Sequence, residues 1–178
     1  MNERTNRTKI PFMVIMISVM VMALSFFLPY NTAVGDRKEK LEENEDKVFI
    51  KDLDMKYKDA KNMSVFEYLR VFALAQKEDG DEDSMFFIVV ISLVMIFTVI
   101  TAIFGGLKKA VPTFIFNLIN LGAFSFMNLA FKAERIVRKN NYTWGVAYYF
   151  FCIAIVAIFV GAVWLFVAKV KDKKEIQS

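Results

Sequence analysis

Hydrophobic and charged residues are sorted along this chain rather than interleaved. Four runs contain no Asp, Glu, Lys or Arg: Ile10 to Gly35, Ser84 to Leu107, Ala110 to Phe131 and Asn140 to Ala168. A helix rises about 1.5 Å per residue, so about 20 apolar residues cross a hydrocarbon layer roughly 30 Å thick, and each run is long enough. Lipid offers no hydrogen-bond partners, so runs of this length satisfy their backbone there only as helices, and they lack the alternation that marks membrane strands. The pattern predicts an all-α, polytopic membrane protein, a four-helix bundle with spans at 10–30, 85–107, 110–131 and 142–168. A long outer segment, 31–84, separates the first two spans, and a short loop, 132–141, separates the last two. The first run is longer than a signal-peptide core and is followed by no small-residue cleavage site, so it is read as a span.

The outer segment divides into three. Asp36 to Lys47 is a mixed-charge run with Leu41 as its single large apolar residue, which predicts an exposed helix or a disordered stretch. In Val48 to Lys58, Leu53, Met55 and Tyr57 alternate with Asp52, Asp54 and Lys56, a strand pattern. Ser64 and Glu67 then match the S-x-x-E capping box, which predicts a helix over 64–76 with Phe66, Leu69, Phe72 and Ala73 on one face. That face suits packing on the outer ends of the spans, lying in the membrane interface, or binding a partner. Gly35, Gly80 and the pair Gly105-Gly106 mark breaks, and Pro112 suits a first helical turn.

Composition sharpens the picture. The chain is 56% hydrophobic and 24% charged, with mean hydropathy +0.39 and a formal charge of +4. In a soluble protein that charge would point to nucleic acid; here the basic residues flank spans, and no nucleic-acid partner is expected. Arg4, Arg7 and Lys9 before the first span, Lys108 and Lys109 between the second and third, and Lys169, Lys171, Lys173 and Lys174 in the tail favour termini (1–9 and 169–178) in the cytoplasm. Lys132, Arg135, Arg138 and Lys139, opposed by Glu134 alone, pull the other way.

The chemistry available is narrow. The chain has no histidine, and its one cysteine, Cys152, lies in the fourth span, so an internal disulfide is excluded. The spans hold no Asp, Glu, Lys or Arg, which leaves carboxylate-coupled transport without a candidate residue. There is no Walker A loop, H-E-x-x-H or G-x-S-x-G, and the expectation is a protein that is not an enzyme and carries no cofactor or metal. Asp79, Asp81 and Asp83 alternate as in a calcium loop, but Ser84 and Val90 stand where an EF-hand needs Gly and Glu. Ser84 is read instead as the N-cap of the second span.

Polar residues inside the third span form the main constellation. At about 100° per residue, Thr113, Asn117, Asn120 and Asn128 fall within an arc of about 80°, a stripe that must face other helices rather than lipid. Its uses are interhelical hydrogen bonding, a cavity for a lipid headgroup or small solute, or a conduction path. Small residues predict close helix contacts: Thr98, Ala102 and Gly106 in the second span, with Thr101 and Gly105 alongside, and Ala154, Ala157 and Gly161 with Ala147 in the fourth. Met13, Met16 and Met20 line one side of the first span as adaptable packing. Phe26, Phe27 and Tyr30, Tyr142, Trp144, Tyr148 and Tyr149, and Trp164 at the opposite end read as interfacial aromatic belts.

The layout of four spans with the longest outer segment between the first two is similar to that of claudins, without their tryptophan and two cysteines in that segment. The sequence FLPY, Phe27 to Tyr30, with the same layout resembles a class of small uncharacterised bacterial four-span membrane proteins and implies no activity. The leading expectation is a non-catalytic protein of the cell membrane, embedded in the lipid bilayer, that presents its acidic outer segment to a protein partner or a second copy as an accessory or assembly subunit. The alternatives are a small channel or lipid/solute carrier built on the Asn stripe, and a bacteriocin-immunity-like membrane protein. A subunit predicts Asn117, Asn120 and Asn128 paired in a dry core; a channel or carrier predicts them along an open cavity.

Overall fold

The computed structural model describes residues 2–80, 82–136 and 141–177. Arg138 and Lys139 of the last loop and Asp81 of the alternating acids lie outside the described residues. In chain order the elements are α1 (Asn2–Ser25), β1 (Pro29–Ala33), α2 (Gly35–Glu42), β2 (Val48–Ile50), β3 (Met55–Lys56), α3 (Tyr57–Lys61), β4 (Asn62–Ser64), α4 (Val65–Asp79), α5 (Glu82–Gly106), α6 (Ala110–Ala133), β5 (Tyr142–Trp144) and α7 (Val146–Gln177). Among the described residues four helices, α1, α5, α6 and α7, are long and apolar enough to cross a membrane.

These four form a bundle in which α1 lies against α5 and α7, and α6 against the same two. The closest approaches are made where a side chain is missing. A Cβ on Gly161 would stand 2.8 Å from Ile15 Cγ1 and 3.3 Å from the Pro11 carbonyl oxygen, so α7 lies directly on α1. A Cβ on Gly105 would stand 2.7 Å from Ile15 Cγ2, which brings α5 onto the same isoleucine. Ile15, Met22, Ile91, Val94, Met127, Phe151, Ile155 and Ile158 fill the space between. Outward faces are apolar as well: Ile10, Ile17 and Leu24 of α1, Val99 and Ile103 of α5, and Ile153, Val160 and Val163 of α7 are all exposed. Apolar residues therefore line both the interior of this bundle and much of its exterior.

The small-residue contact surfaces are shifted from those expected. On α7, Ala147, Ala154 and Gly161 are buried and Ala157 partly so. On α5 the buried row is Thr98, Thr101 and Gly105; Ala102 is only partly buried, and Gly106 is exposed with nothing within 4 Å of its Cβ position. The helix is rotated by one residue because Gly105, not Gly106, meets Ile15. On α1, Met13 and Met20 are exposed and Met22 is the methionine in the core, so the expected methionine face points outward.

The segment between α1 and α5 forms a cap on one end of the bundle, with a small sheet that the all-α expectation omitted. β1 pairs antiparallel with β4 on one side and β5 on the other, giving the order β4-β1-β5. Tyr142 and Trp144 therefore belong to a strand, and α7 begins only at Val146. Pairing of β2 with β3 accounts for the predicted strand, interrupted by a short 3-10 turn at Lys51–Leu53 and a left-handed Asp54. The mixed-charge run folds as α2, which buries Leu41 against Ala33 and Ala60 and pairs Glu42 with Lys61. That lysine holds the Glu42 carboxyl below its ordinary value by hydrogen bonding to its charged form.

The capping box of α4 is formed: the Glu67 amide donates to Ser64 Oγ at 3.1 Å and the Ser64 amide donates to Glu67 Oε2 at 2.7 Å. The face is not the expected one. Val65 and Tyr68 are buried, Leu69 and Phe72 partly so, whereas Phe66 and Ala73 are exposed. Tyr68 takes the inward position because its hydroxyl finds Asn31 beneath it. Phe66 instead lies on the outer side against Phe27, ring centroids 5.3 Å apart. The helix ends at Gly80, left-handed at φ 65°, and α5 starts at Glu82, so Ser84 sits inside the first turn rather than at the cap.

Candidate functional site

Polar side chains in the bundle gather on α6, as a helix facing three neighbours would arrange them. Asn117 donates through Nδ2 to the Ile155 carbonyl of α7 at 3.0 Å. Asn120 donates to Thr98 Oγ1 of α5 at 3.0 Å and to Met22 Sδ of α1 at 3.2 Å. Thr113 turns back on its own helix, donating to the Lys109 carbonyl at 2.9 Å. Thr113, Asn117 and Asn120 are fully buried, so the stripe connects all three neighbouring helices through its lower members.

Three oxygens of this network have no protein partner. Asn117 Oδ1, Asn120 Oδ1 and Thr101 Oγ1 are buried with no hydrogen-bond partner. They belong together: the Asn120–Thr98 bond and the 3.9 Å approach of the Gly105 Cβ position to Thr113 fix the antiparallel register of α5 on α6, which sets Thr101 opposite Asn117. A buried acceptor left without any partner costs about 1–3 kcal/mol, which makes these oxygens the places where a partner would count most.

Asn128 behaves differently. Its Oδ1 accepts from the Tyr30 hydroxyl and its Nδ2 donates to the Phe124 carbonyl. It is only partly buried and lines a cleft of about 530 Å³ between α6 and α7, together with Leu121, Ser125, Tyr148, Cys152 and Phe159. The stripe thus divides into a closed section at 113–120 and an open end at Asn128.

Tyr30 is the node between cap and bundle. It is completely buried, with edge-on rings of Phe124, Phe131, Trp144 and Tyr148 around it at 5.6–6.4 Å. Phe26 is likewise a core residue, edge-on to Phe151 at 5.0 Å. Neither is part of an interfacial belt; Phe27, Tyr149 and Trp164 do face outward. Beside Tyr30, buried Asn31 donates to the Tyr68 hydroxyl at 3.0 Å, and burial pushes the Tyr68 phenol up while that hydrogen bond opposes the rise. Sequence reasoning missed Tyr30 as the partner of Asn128 and Asn31 as the partner of Tyr68, and read Thr101 only as a small helix-contact residue. For Tyr30 and Asn31 the available signal was their polarity at the end of the first apolar run.

No protein-family model, no curated protein and no solved structure matches this chain. Among the described residues no group of three His, Cys, Asp or Glu side chains could hold a metal ion. At the end of the bundle away from the sheet, Lys169 Nζ donates to the Lys108 carbonyl at 2.6 Å and Lys108 Nζ lies 4.8 Å from the Phe12 ring centre, so basic residues of α7 and of the turn before α6 meet the start of α1. At the sheet end, Lys132 Nζ lies 5.7 Å from the Trp144 ring.

Proposed function

We propose that this chain is a non-catalytic integral membrane protein with four spans and both termini in the cytoplasm, an accessory or assembly subunit that presents its outer cap to a protein partner. The observation that carries the reading is the burial of Asn117 and Asn120, whose amides are donated to α7, α5 and α1. Used in this way, carboxamides join helices in lipid. Exposed apolar residues around all four helices support immersion, and the basic residues gathered at the end away from the sheet support a cytoplasmic assignment of that end. The ordered cap, pinned to the bundle through Tyr30, is then a rigid outer surface, and its mixed-charge helix α2 is largely exposed on it, with Leu41 buried.

Affinity purification in mild detergent followed by mass spectrometry tests the subunit reading. One partner is expected in stoichiometric amount after extended washing. Isolation of the chain as a lone, single-copy species overturns it.

The unpaired oxygens of Thr101, Asn117 and Asn120 favour a second reading, a buried polar pocket that takes water or a small solute. Replacing Asn120 with leucine separates the two. In a dry subunit the substitution removes interhelical bonds worth about 0.6 kcal/mol each and also an unpaired acceptor costing about 1–3 kcal/mol. The expected result for Asn120→Leu is unchanged or slightly raised thermal stability in detergent micelles. A loss of more than about 2 kcal/mol would favour the pocket, because it would show that Oδ1 has a partner to lose.

A further inference from the structure

The cleft between α6 and α7 is not used by the subunit reading, although it depends on the same four-span immersion. It is about 530 Å³ and open on its outer side. Its lining is graded. Apart from Leu129 at its edge, the part nearer the sheet is lined by Asn128, Ser125, Tyr148 and Cys152, and the part nearer the middle of the bundle by apolar residues such as Leu121, Val156 and Phe159. At 1.5 Å per residue, Tyr148 lies about 3 Å, Val156 about 15 Å and Phe159 about 20 Å from the start of α7. The slot therefore runs from the end of the helix to near the centre of a hydrocarbon layer.

Hydrogen-bonding capacity at the upper end is unspent. Ser125 is exposed to the cleft and has no hydrogen-bond partner among the described residues. Asn128 uses its Oδ1 for Tyr30 and one amide proton for Phe124, which leaves a second N–H. Two donors thus stand over an apolar slot.

We infer that this cleft is a binding site for a single diacyl phospholipid, with one acyl chain in the slot and an ester carbonyl accepting from Ser125 and Asn128. The gradient of the lining, donors above and hydrocarbon below, is that of the lipid itself. A partner helix does not fit: it is about 10–12 Å across, and neighbouring helix axes stand only about 8–10 Å apart, so it could cover the slot without entering it. An acyl chain one carbon wide enters. Val156 and Leu129, both exposed, form the lips.

Native mass spectrometry of the full chain, extracted from membranes and supplied with phosphatidylglycerol in dodecyl maltoside, tests the site. The unaltered protein is expected to keep one phospholipid under activation that strips the rest. Val156→Trp, which fills the slot from an exposed position, is expected to lower the bound fraction at least tenfold, and Ser125→Ala several-fold. Ile153→Trp, at another exposed position on α7 that does not line the cleft, should leave it unchanged. Ser125→Ala alters a single exposed hydroxyl and keeps the test decisive if Val156→Trp fails to accumulate. Equal lipid retention by the unaltered protein and by Ser125→Ala and Val156→Trp overturns the site, as does a second polypeptide that copurifies and is released by Val156→Trp. A membrane-integrated protein without bound lipid overturns the cleft alone, whereas release of the unaltered protein by alkaline carbonate overturns both the cleft and the four-span reading.

Discussion

Truncation of Tyr30 to alanine is expected to lower stability by about 3–5 kcal/mol, the cost of emptying a fully buried aromatic site. The effect is large because four rings converge on this one side chain: Phe124 and Phe131 from α6, Tyr148 from α7 and Trp144 from β5. None of those neighbours can collapse into the void without losing its own contacts. Tyr30→Phe keeps the ring and removes only the hydroxyl that donates to Asn128, so it should cost about 1–3 kcal/mol, as expected when a partly buried acceptor loses its partner. Thermal unfolding in detergent micelles, followed by circular dichroism, reads both. If Tyr30→Ala fell within about 1 kcal/mol of the unaltered protein, Tyr30 would not be the junction of cap and bundle.

Gly145→Ala is the second large effect, and its cause is steric. An added Cβ would stand 2.3 Å from the Pro29 carbonyl oxygen, 2.8 Å from its carbon and 3.0 Å from the Tyr30 carbonyl carbon. All three atoms are backbone, and the strand cannot retreat: the Gly145 amide donates to the Tyr30 carbonyl at 2.7 Å, and Tyr30 is locked from the other side. The expected loss is about 3 kcal/mol, which for a chain of this size lowers the unfolding temperature by roughly 6–12 °C. Gly122→Ala provides the opposite sign. It lies within α6 with nothing within 4 Å of its Cβ position, so alanine should stabilise by about 0.5–1 kcal/mol through helix propensity. A Gly145→Ala protein as stable as the Gly122→Ala protein would remove β5 from any role in fixing the start of α7.

These two positions also show where one-dimensional reasoning ends. Tyr30 at the edge of an apolar run looks like an interfacial aromatic, and nothing nearby in sequence reveals that residues near 124, 131, 144 and 148 surround it. Gly145 looks like an ordinary turn residue; only the pairing of β1 with β5 brings the Pro29 backbone beneath it. The same holds for Phe66 and Tyr68. A face drawn at helical spacing is uncertain by one residue, and the choice falls to Tyr68 because Asn31, far away in sequence, offers a hydrogen bond.

Local patterns settled much else. Apolar runs free of charge fixed the number of long apolar helices, since length and hydropathy depend on neighbours along the chain alone; their ends were not set that way, for α1 stops at Ser25 rather than at residue 30, where β1 takes over, and α7 runs from Val146 to Gln177. Ser64 and Glu67 announced the start of α4 for the same reason, a cap being complete within one turn. The helical period also put Thr113, Asn117 and Asn120 on one inward arc. Which helix each of them meets, why three oxygens there lack partners, why Asn128 opens on a cleft, and that strands from two separate segments close one sheet are decisions of tertiary structure. Each depends on register between elements distant in sequence, and register is set by where two backbones can come closest, at Gly105, Gly145 and Gly161, rather than by any periodicity in the residues themselves.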